Sequence, residues 1–211
     1  MGKTSIAIIE DHPVMRNGLA AYFRNSGQWD VCGTASTVSE AKELLAVTFP
    51  EILLLDLQLE DGWGLDIIPW TVKQPELNQR EFQQIPMAAQ ALVAVYSAFD
   101  DYLHVKKALD MGVKAYITKR RSESELEHAL LKALNGEIYI DEITRIKFQE
   151  ITGILKLLTG RETEIFNLVK SGLSNSQIAA RLDISKRTVE NMISCVYSKT
   201  GIKSRMELEL L

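Results

Sequence analysis

The sequence predicts two domains of different class. The first is an α/β domain built on a doubly wound, five-stranded parallel sheet. The second is an all-α helix-turn-helix domain. Three observations carry this. Short, fully apolar runs alternate with amphipathic stretches from the N-terminus; the alternation stops after Gly136; and every segment from Thr159 onward reads as helix.

Four apolar runs read as strands: Ile6-Ala7-Ile8-Ile9, Ile52-Leu53-Leu54-Leu55, Leu92-Val93-Ala94-Val95-Tyr96 and Ala115-Tyr116-Ile117-Thr118, with a weaker fifth from Asp30 to Thr34. Runs that are apolar at every position suit strands covered on both faces, as in a parallel sheet. Helices start where a hydroxyl and, three residues on, a carboxylate can satisfy the free N–H groups of a first turn. Thr37-Val38-Ser39-Glu40 and Ser122-Glu123-Ser124-Glu125 have this capping-box form. After the second, Leu126, Ala129, Leu130 and Ala133 recur at helical spacing, and Gly136 stops the helix.

Residues 1–136 are therefore expected to form the first domain, 137–153 a linker and 154–211 the second domain. The linker lacks proline, has a single glycine and carries Ile146 and Ile151, so it reads as partly helical. Two further capping boxes, Thr159-Gly160-Arg161-Glu162 and Ser174-Asn175-Ser176-Gln177, open the helices of the second domain, and Gly172 ends the helix between them. Ser174 to Leu182 is a short helix, Asp183-Ile184-Ser185 a tight turn, and Ser185 caps a second helix from Lys186. Such a motif offers the N-terminal end of its second helix to the major groove.

Composition narrows the class. The chain has 211 residues, 46% hydrophobic and 25% charged, which is ordinary for globular domains. Residues 1–152 carry 15 Lys/Arg against 22 Asp/Glu, whereas residues 153–211 carry 9 against 6. A basic domain behind an acidic one fits contact with nucleic-acid phosphates. Two cysteines, Cys32 and Cys195, are too few for a disulfide framework and point to a reducing compartment. No basic start leads into an apolar run, so a signal peptide is not expected, and Ile52–Leu55 is far too short to span a bilayer. A cytoplasmic protein is expected.

The chemistry sits at strand ends. Glu10 and Asp11 follow Ile6–Ile9, Asp56 follows Ile52–Leu55, Ser97 follows Leu92–Tyr96 and Lys119 follows Ala115–Thr118. In a parallel sheet these ends meet at the crevice where ligands bind. Three converging carboxylates repel unless a cation neutralises them, and oxygen-only ligands suit Mg²⁺ with its retained waters and a phosphate. A lysine and a hydroxyl on the far side complete what a phosphoryl group requires. No nucleophile–base pair suggests a stand-alone enzyme.

The segment Ile9-Glu10-Asp11-His12-Pro13, with Asp56, Ser97 and Lys119 in that order and Tyr116 three before the lysine, resembles the receiver domain of response regulators over residues 4–136. The run from Leu158-Thr159-Gly160-Arg161-Glu162 to Lys203-Ser204-Arg205-Met206-Glu207-Leu208 resembles the LuxR/NarL-type DNA-binding domain over 154–211. Together they resemble a two-component response regulator of the NarL/FixJ family. The resemblance implies a flavodoxin-like, CheY-like receiver fold with Asp56 as phosphoacceptor, and Mg²⁺ held by Glu10, Asp11, Asp56 and the backbone carbonyl of Gln58. Ser97 and Lys119 would hold phosphoryl oxygens, and Ser97 with Tyr116 would form a switch pair. A sensor histidine kinase would be the donor, double-stranded DNA the target, and a homodimer the active form. Lys186, Arg187, Thr188, Glu190, Asn191, Ser194 and Lys203 are the expected DNA contacts.

Three departures from the family stand out. Arg120 follows Lys119 where proline is common. Residues 68–91, with Pro69, Pro75 and Pro86, lengthen the stretch before the fourth strand by about ten residues. Glu190 and Met192 stand where Lys and His are common; a glutamate can accept from cytosine N4, or oppose phosphates. The alternatives are a phosphorylation-independent regulator and a protein-interaction module of the same fold.

Overall fold

The computed structural model describes residues 2–71 and 91–210. The chain divides into two compact units, residues 1–144 and 145–211. The division falls within the segment expected to be a linker, most of which is one helix.

The first unit is a parallel sheet flanked by helices. Its strands are β1 (Thr4–Ile9), β2 (Trp29–Ala35), β3 (Ile52–Leu55), β6 (Leu92–Ser97), β7 (Ala115–Thr118) and β8 (Tyr139–Ile140), in the order β2-β1-β3-β6-β7-β8. The sheet thus has six strands rather than the expected five. β8 is two residues long and pairs Tyr139 with Ala115 and Ile140 with Tyr116, too short a run to display a pattern in the sequence. A two-stranded hairpin, β4 (Gln58–Leu59) and β5 (Gly62–Trp63), stands apart just after β3. Strand order reverses at β1, between β2 and β3, which is where ligands bind in such sheets.

The helices are α1 (Pro13–Asn25), α2 (Val38–Val47), α3 (Tyr102–Asp110) and α4 (Glu123–Leu134), with a 3₁₀ segment at Gly64–Thr71. The apolar runs account for the core: Ile6, Ala7, Ile8, Ile52, Leu53, Leu55, Ala94 and Ile117 are fully buried. Leu126, Ala129, Leu130 and Ala133 of α4 pack in one cluster with Ile6, Ile8, Ile52, Ala94 and Ile117. Ser122 and Glu125 form a complete capping box. The one expected at Thr37 is only half formed. Thr37 accepts from the Glu40 N–H, but the Glu40 carboxylate turns to the Ser36 backbone N–H and hydroxyl at 2.7 and 2.6 Å. The 3₁₀ segment takes in Ile68 to Thr71 of the expected insertion, with Pro69 inside it; its residues 72–90 lie outside the described ones.

Helix α5 (Glu142–Leu155) leads into the second unit, which holds α6 (Gly160–Lys170), α7 (Asn175–Leu182), α8 (Lys186–Thr200) and α9 (Arg205–Leu210). Thr159/Glu162 and Ser174/Gln177 form complete capping boxes. Asp183 turns the chain between α7 and α8 at φ 52°, a left-handed conformation that aspartate tolerates better than most residues. Ile178, Val189, Val196, Ile165, Phe166 and Leu208 close the core. Leu208 therefore packs into the core of its own domain. Among the described residues no helix is long and apolar enough to cross a membrane.

Candidate functional site

The parallel topology brings the strand-end residues together. Glu10 follows β1, Asp56 follows β3, Ser97 ends β6 and Lys119 follows β7. Asp11, Asp56, Gln58, Ser97 and Lys119 line one cavity of about 450 Å³, with His12 and Phe99 at its wall. The Lys119 ammonium lies 2.6 Å from Asp56 Oδ2 and 2.8 Å from both carboxylate oxygens of Glu10.

Burial sets the electrostatics. Glu10 is 1% exposed and Asp56 5%. Desolvation pushes the Glu10 carboxyl above its ordinary range, opposed chiefly by its bond to Lys119. Burial works against the Lys119 charge too, but its bonds to Asp56 and Glu10 outweigh this and hold it above the ordinary lysine value. The pocket therefore keeps a cation beside two acidic groups.

Asp56 is held in one orientation. Its Oδ1 accepts from the Leu57 N–H at 2.7 Å and, weakly, from the Gln58 N–H at 3.5 Å, while Oδ2 faces Lys119. Gly64 lies against its backbone: a Cβ there would sit 1.9 Å from the Asp56 carbonyl oxygen. On the acidic loop, His12 Nδ1 lies 2.7 Å from Asp11 Oδ1, and Glu10, Asp11 and His12 could offer ligand atoms within 4.8 Å of one another. Arg16 Nη1 donates to the carbonyls of Glu10 and Asp11 at 2.7 and 3.1 Å, fixing that loop. The donor set, carboxylate oxygens beside a cavity, suits a hard divalent cation.

Ser97 is fully buried, and its hydroxyl has no hydrogen-bond partner among the described residues. A buried polar group left unpaired costs stability, so such a group calls for an explanation in a ligand, water or ion. Tyr116 is also fully buried, and its hydroxyl donates to the Phe99 carbonyl at 2.9 Å. Ser97 and Tyr116 are thus joined through the Ser97–Phe99 segment at the end of β6. Phe99 also stacks on His104 (centroids 4.5 Å apart), and Trp63 packs on both.

His12, Arg16, Gly64 and Phe99 were missed in the sequence. For His12 and Arg16 the signal is their place at the start of α1, His12 as its N-cap and Arg16 in its first turn, directly after Glu10-Asp11. For Gly64 and Phe99 there was none, because their roles are made by backbone atoms.

In the second unit, Lys186, Arg187, Thr188, Glu190, Asn191 and Ser194 are all exposed on α8, opposite buried Val189, Ile193 and Val196. Lys203 is exposed beyond the end of α8. Lys186 and Glu190 form an i,i+4 pair at 4.0 Å. The Thr188 hydroxyl lies 2.8 Å from the Ser185 hydroxyl, and the Ser194 hydroxyl donates to the Glu190 carbonyl at 3.0 Å. Lys186 and Arg187 occupy the first turn, where free N–H groups and the helix dipole already favour anions.

Comparison with known proteins agrees with both halves. The family model of the response regulator receiver domain matches residues 6–131, and that of bacterial regulatory proteins of the luxR family matches residues 156–211. The chain is 30% identical to the uncharacterized transcriptional regulatory protein YhcZ of Bacillus subtilis, covering 97% of this chain and 93% of that one. It is 26% identical to the response regulator protein VraR of Staphylococcus saprophyticus, over 96% and 92%. In fold it is similar to RcsB in a structure of two RcsB dimers bound to two parallel DNAs: TM-score 0.70, 18% identity, 99% of this chain and 97% of that one.

Proposed function

The chain belongs to the response regulators, joining a receiver domain to a LuxR-type DNA-binding domain, and on that premise we propose that phosphorylation of Asp56 by a sensor histidine kinase controls its binding to DNA. The observation that carries the reading is the buried, unpartnered Ser97 hydroxyl, which lines the same cavity as Asp56 and Lys119.

Asp56 Oδ2 is the attacking oxygen: its bond to phosphorus forms as the P–N bond of the kinase's phosphohistidine breaks, and the imidazole leaves with the electron pair. Oδ1 is engaged by the Leu57 N–H, which fixes the carboxylate before any donor arrives. Lys119, already beside Asp56, balances the charge of the transferred phosphoryl oxygens. Ser97 donates to one of those oxygens and so gains the hydrogen bond it lacks. Glu10, Asp11, Asp56 and the Gln58 carbonyl would hold Mg²⁺, which supplies charge neutralisation for the phosphoryl group when bound. His12 stands beside this set.

The signal leaves through the Ser97–Phe99 segment. Movement of Ser97 toward the phosphoryl group draws on Phe99, whose carbonyl holds the Tyr116 hydroxyl. In the second unit, Lys186 and Arg187 contact phosphates, with Lys203 on the backbone nearby. Asn191 suits an adenine, and Glu190, paired with Lys186 at 4.0 Å, tempers the pull of that lysine on phosphates. Thr188 and Ser194 lend support from the same exposed face of α8. One short helix provides few contacts, so two copies acting together on paired half-sites are the active species.

Acetyl phosphate with Mg²⁺ should add one phosphoryl group to the chain, measured by intact mass, and Asp56→Asn should take none. Undiminished labelling of that variant refutes the assignment.

A further inference from the structure

Asp141 follows β8 at the same edge of the sheet where Glu10, Asp56 and Lys119 follow β1, β3 and β7. It is 1% exposed. A carboxylate at that depth persists only if it is paired and hydrogen-bonded. Asp141 is both. Its Oδ2 accepts from the Thr118 backbone N–H at 3.1 Å and the Thr144 hydroxyl at 2.8 Å. Its Oδ1 accepts from Arg121 Nη2 and Nε at 3.1 and 3.3 Å, and from the Thr144 N–H at 3.3 Å.

These partners have a pattern. Thr118 and Arg121 are the two ends of one turn, closed by the Arg121 N–H donating to the Thr118 carbonyl at 3.0 Å. Lys119 lies inside that turn, and its ammonium is 2.6 Å from Asp56 Oδ2. The carboxylate therefore grips both ends of the segment that presents the lysine. Its own N–H is fixed in turn, donating to the Tyr116 carbonyl at 3.0 Å. A proline at position 120 would stiffen this turn through its fixed φ; with Arg120 there, the Arg121–Asp141 pair supplies the stiffness. Through Thr144 the same carboxylate serves the first turn of α5, so that helix starts from the anchor that holds Lys119. Burial alone would raise the Asp141 carboxyl, but the bonds from Thr144 and Arg121 outweigh it and hold the group below its ordinary value, ionised.

We infer that Asp141 is a positioning residue for phosphoryl transfer at Asp56, fixing the turn from which Lys119 reaches the acceptor carboxylate. The inference rests on the reading of Asp56 as the phosphoacceptor.

The test is the rate of Asp56 labelling by acetyl phosphate and Mg²⁺ in the full chain, with Asp141→Asn. An amide can accept from one of Thr118 N–H and Arg121, but turns its own N–H toward the other. Residues that orient a functional group from outside it contribute roughly 10–100-fold, so labelling should slow by about ten-fold while near-UV circular dichroism stays native. A native-like Asp141→Asn chain labelling at the wild-type rate overturns the inference. If that variant does not fold, Arg121→Gln decides, since Arg121 is partly exposed and outside the core. Slower labelling by Arg121→Gln supports the inference and a wild-type rate overturns it. Wild-type protein that takes no label at Asp56 at all refutes instead the underlying phosphoacceptor reading.

Discussion

Gly64→Ala should damage both the stability of the receiver and the geometry of Asp56. An added Cβ would lie 1.9 Å from the Asp56 carbonyl oxygen and 3.0 Å from its carbon. Carbon–oxygen contacts in proteins settle at about 3.3 Å or more, so the two strands of chain must part by about 1.4 Å. Neither side can give cheaply, because the obstacle is backbone. Overpacking of this kind costs about 3 kcal/mol. The separation also breaks the Gly64 N–H to Leu57 carbonyl bond, 2.7 Å long, worth about 1 kcal/mol. A total of about 4 kcal/mol corresponds to a fall of about 15 °C in the midpoint of a domain this size. Gly62→Ala is the control: its Cβ would meet only a Val38 methyl at 3.2 Å, and it should stay within about 1 kcal/mol of wild type. Thermal unfolding of the full chain followed by circular dichroism measures both. A Gly64→Ala midpoint indistinguishable from that of Gly62→Ala would refute the packing account.

Ser97→Ala removes a hydroxyl that makes no hydrogen bond among the described residues, so its melting midpoint should equal or exceed the wild type's, within about 1 kcal/mol, while labelling of Asp56 slows; a large drop in midpoint would reveal a partner for Ser97. Lys199 and the Thr159 backbone and hydroxyl hold the Glu162 carboxyl down to about 2. Because its folded value is depressed, its contribution is present above about pH 4.5 and is lost as pH falls toward about 2. Protection of the α6 amides against hydrogen exchange, taken relative to the unstructured rate at each pH, should fall across that window, and Glu162→Gln should flatten the response; an equal acid response in the variant contradicts the assignment. Glu190→Ala releases Lys186 from its 4.0 Å partner and should steepen the salt dependence of DNA binding by about one unit. An unchanged slope with altered sequence preference would make Glu190 a base reader instead.

Much of this is legible in the sequence. Four of the strands announced themselves because burial on both faces demands apolar residues at every position, and Ile52–Leu55 is β3 as read. Asp56, Lys119 and Ser97 stand out in the sequence because chemistry at the end of such a run has no packing reason to be there. Complete capping boxes at Ser122, Thr159 and Ser174 were visible because their parts are local in sequence. What was hidden depends on contacts between distant residues or on backbone atoms. Glu40 fits the box pattern but chooses Ser36. β8 is two residues that pair only because α4 returns the chain to β7. The grip of Asp141 on Thr118 spans 23 residues, and nothing local to Asp141 marks it as different from a surface carboxylate.

The central claim, that phosphorylation of Asp56 governs DNA binding, is tested most directly by fluorescence anisotropy. Full-length wild type and Asp56→Asn would be titrated against selected genomic promoter fragments at fixed salt, with and without acetyl phosphate and Mg²⁺. The wild type should bind about ten-fold tighter when phosphorylated, within the usual range of coupling between two sites, and Asp56→Asn should bind equally under both conditions. A variant that tightens as much as the wild type, or a wild type labelled on Asp56 with unchanged affinity, would contradict the account.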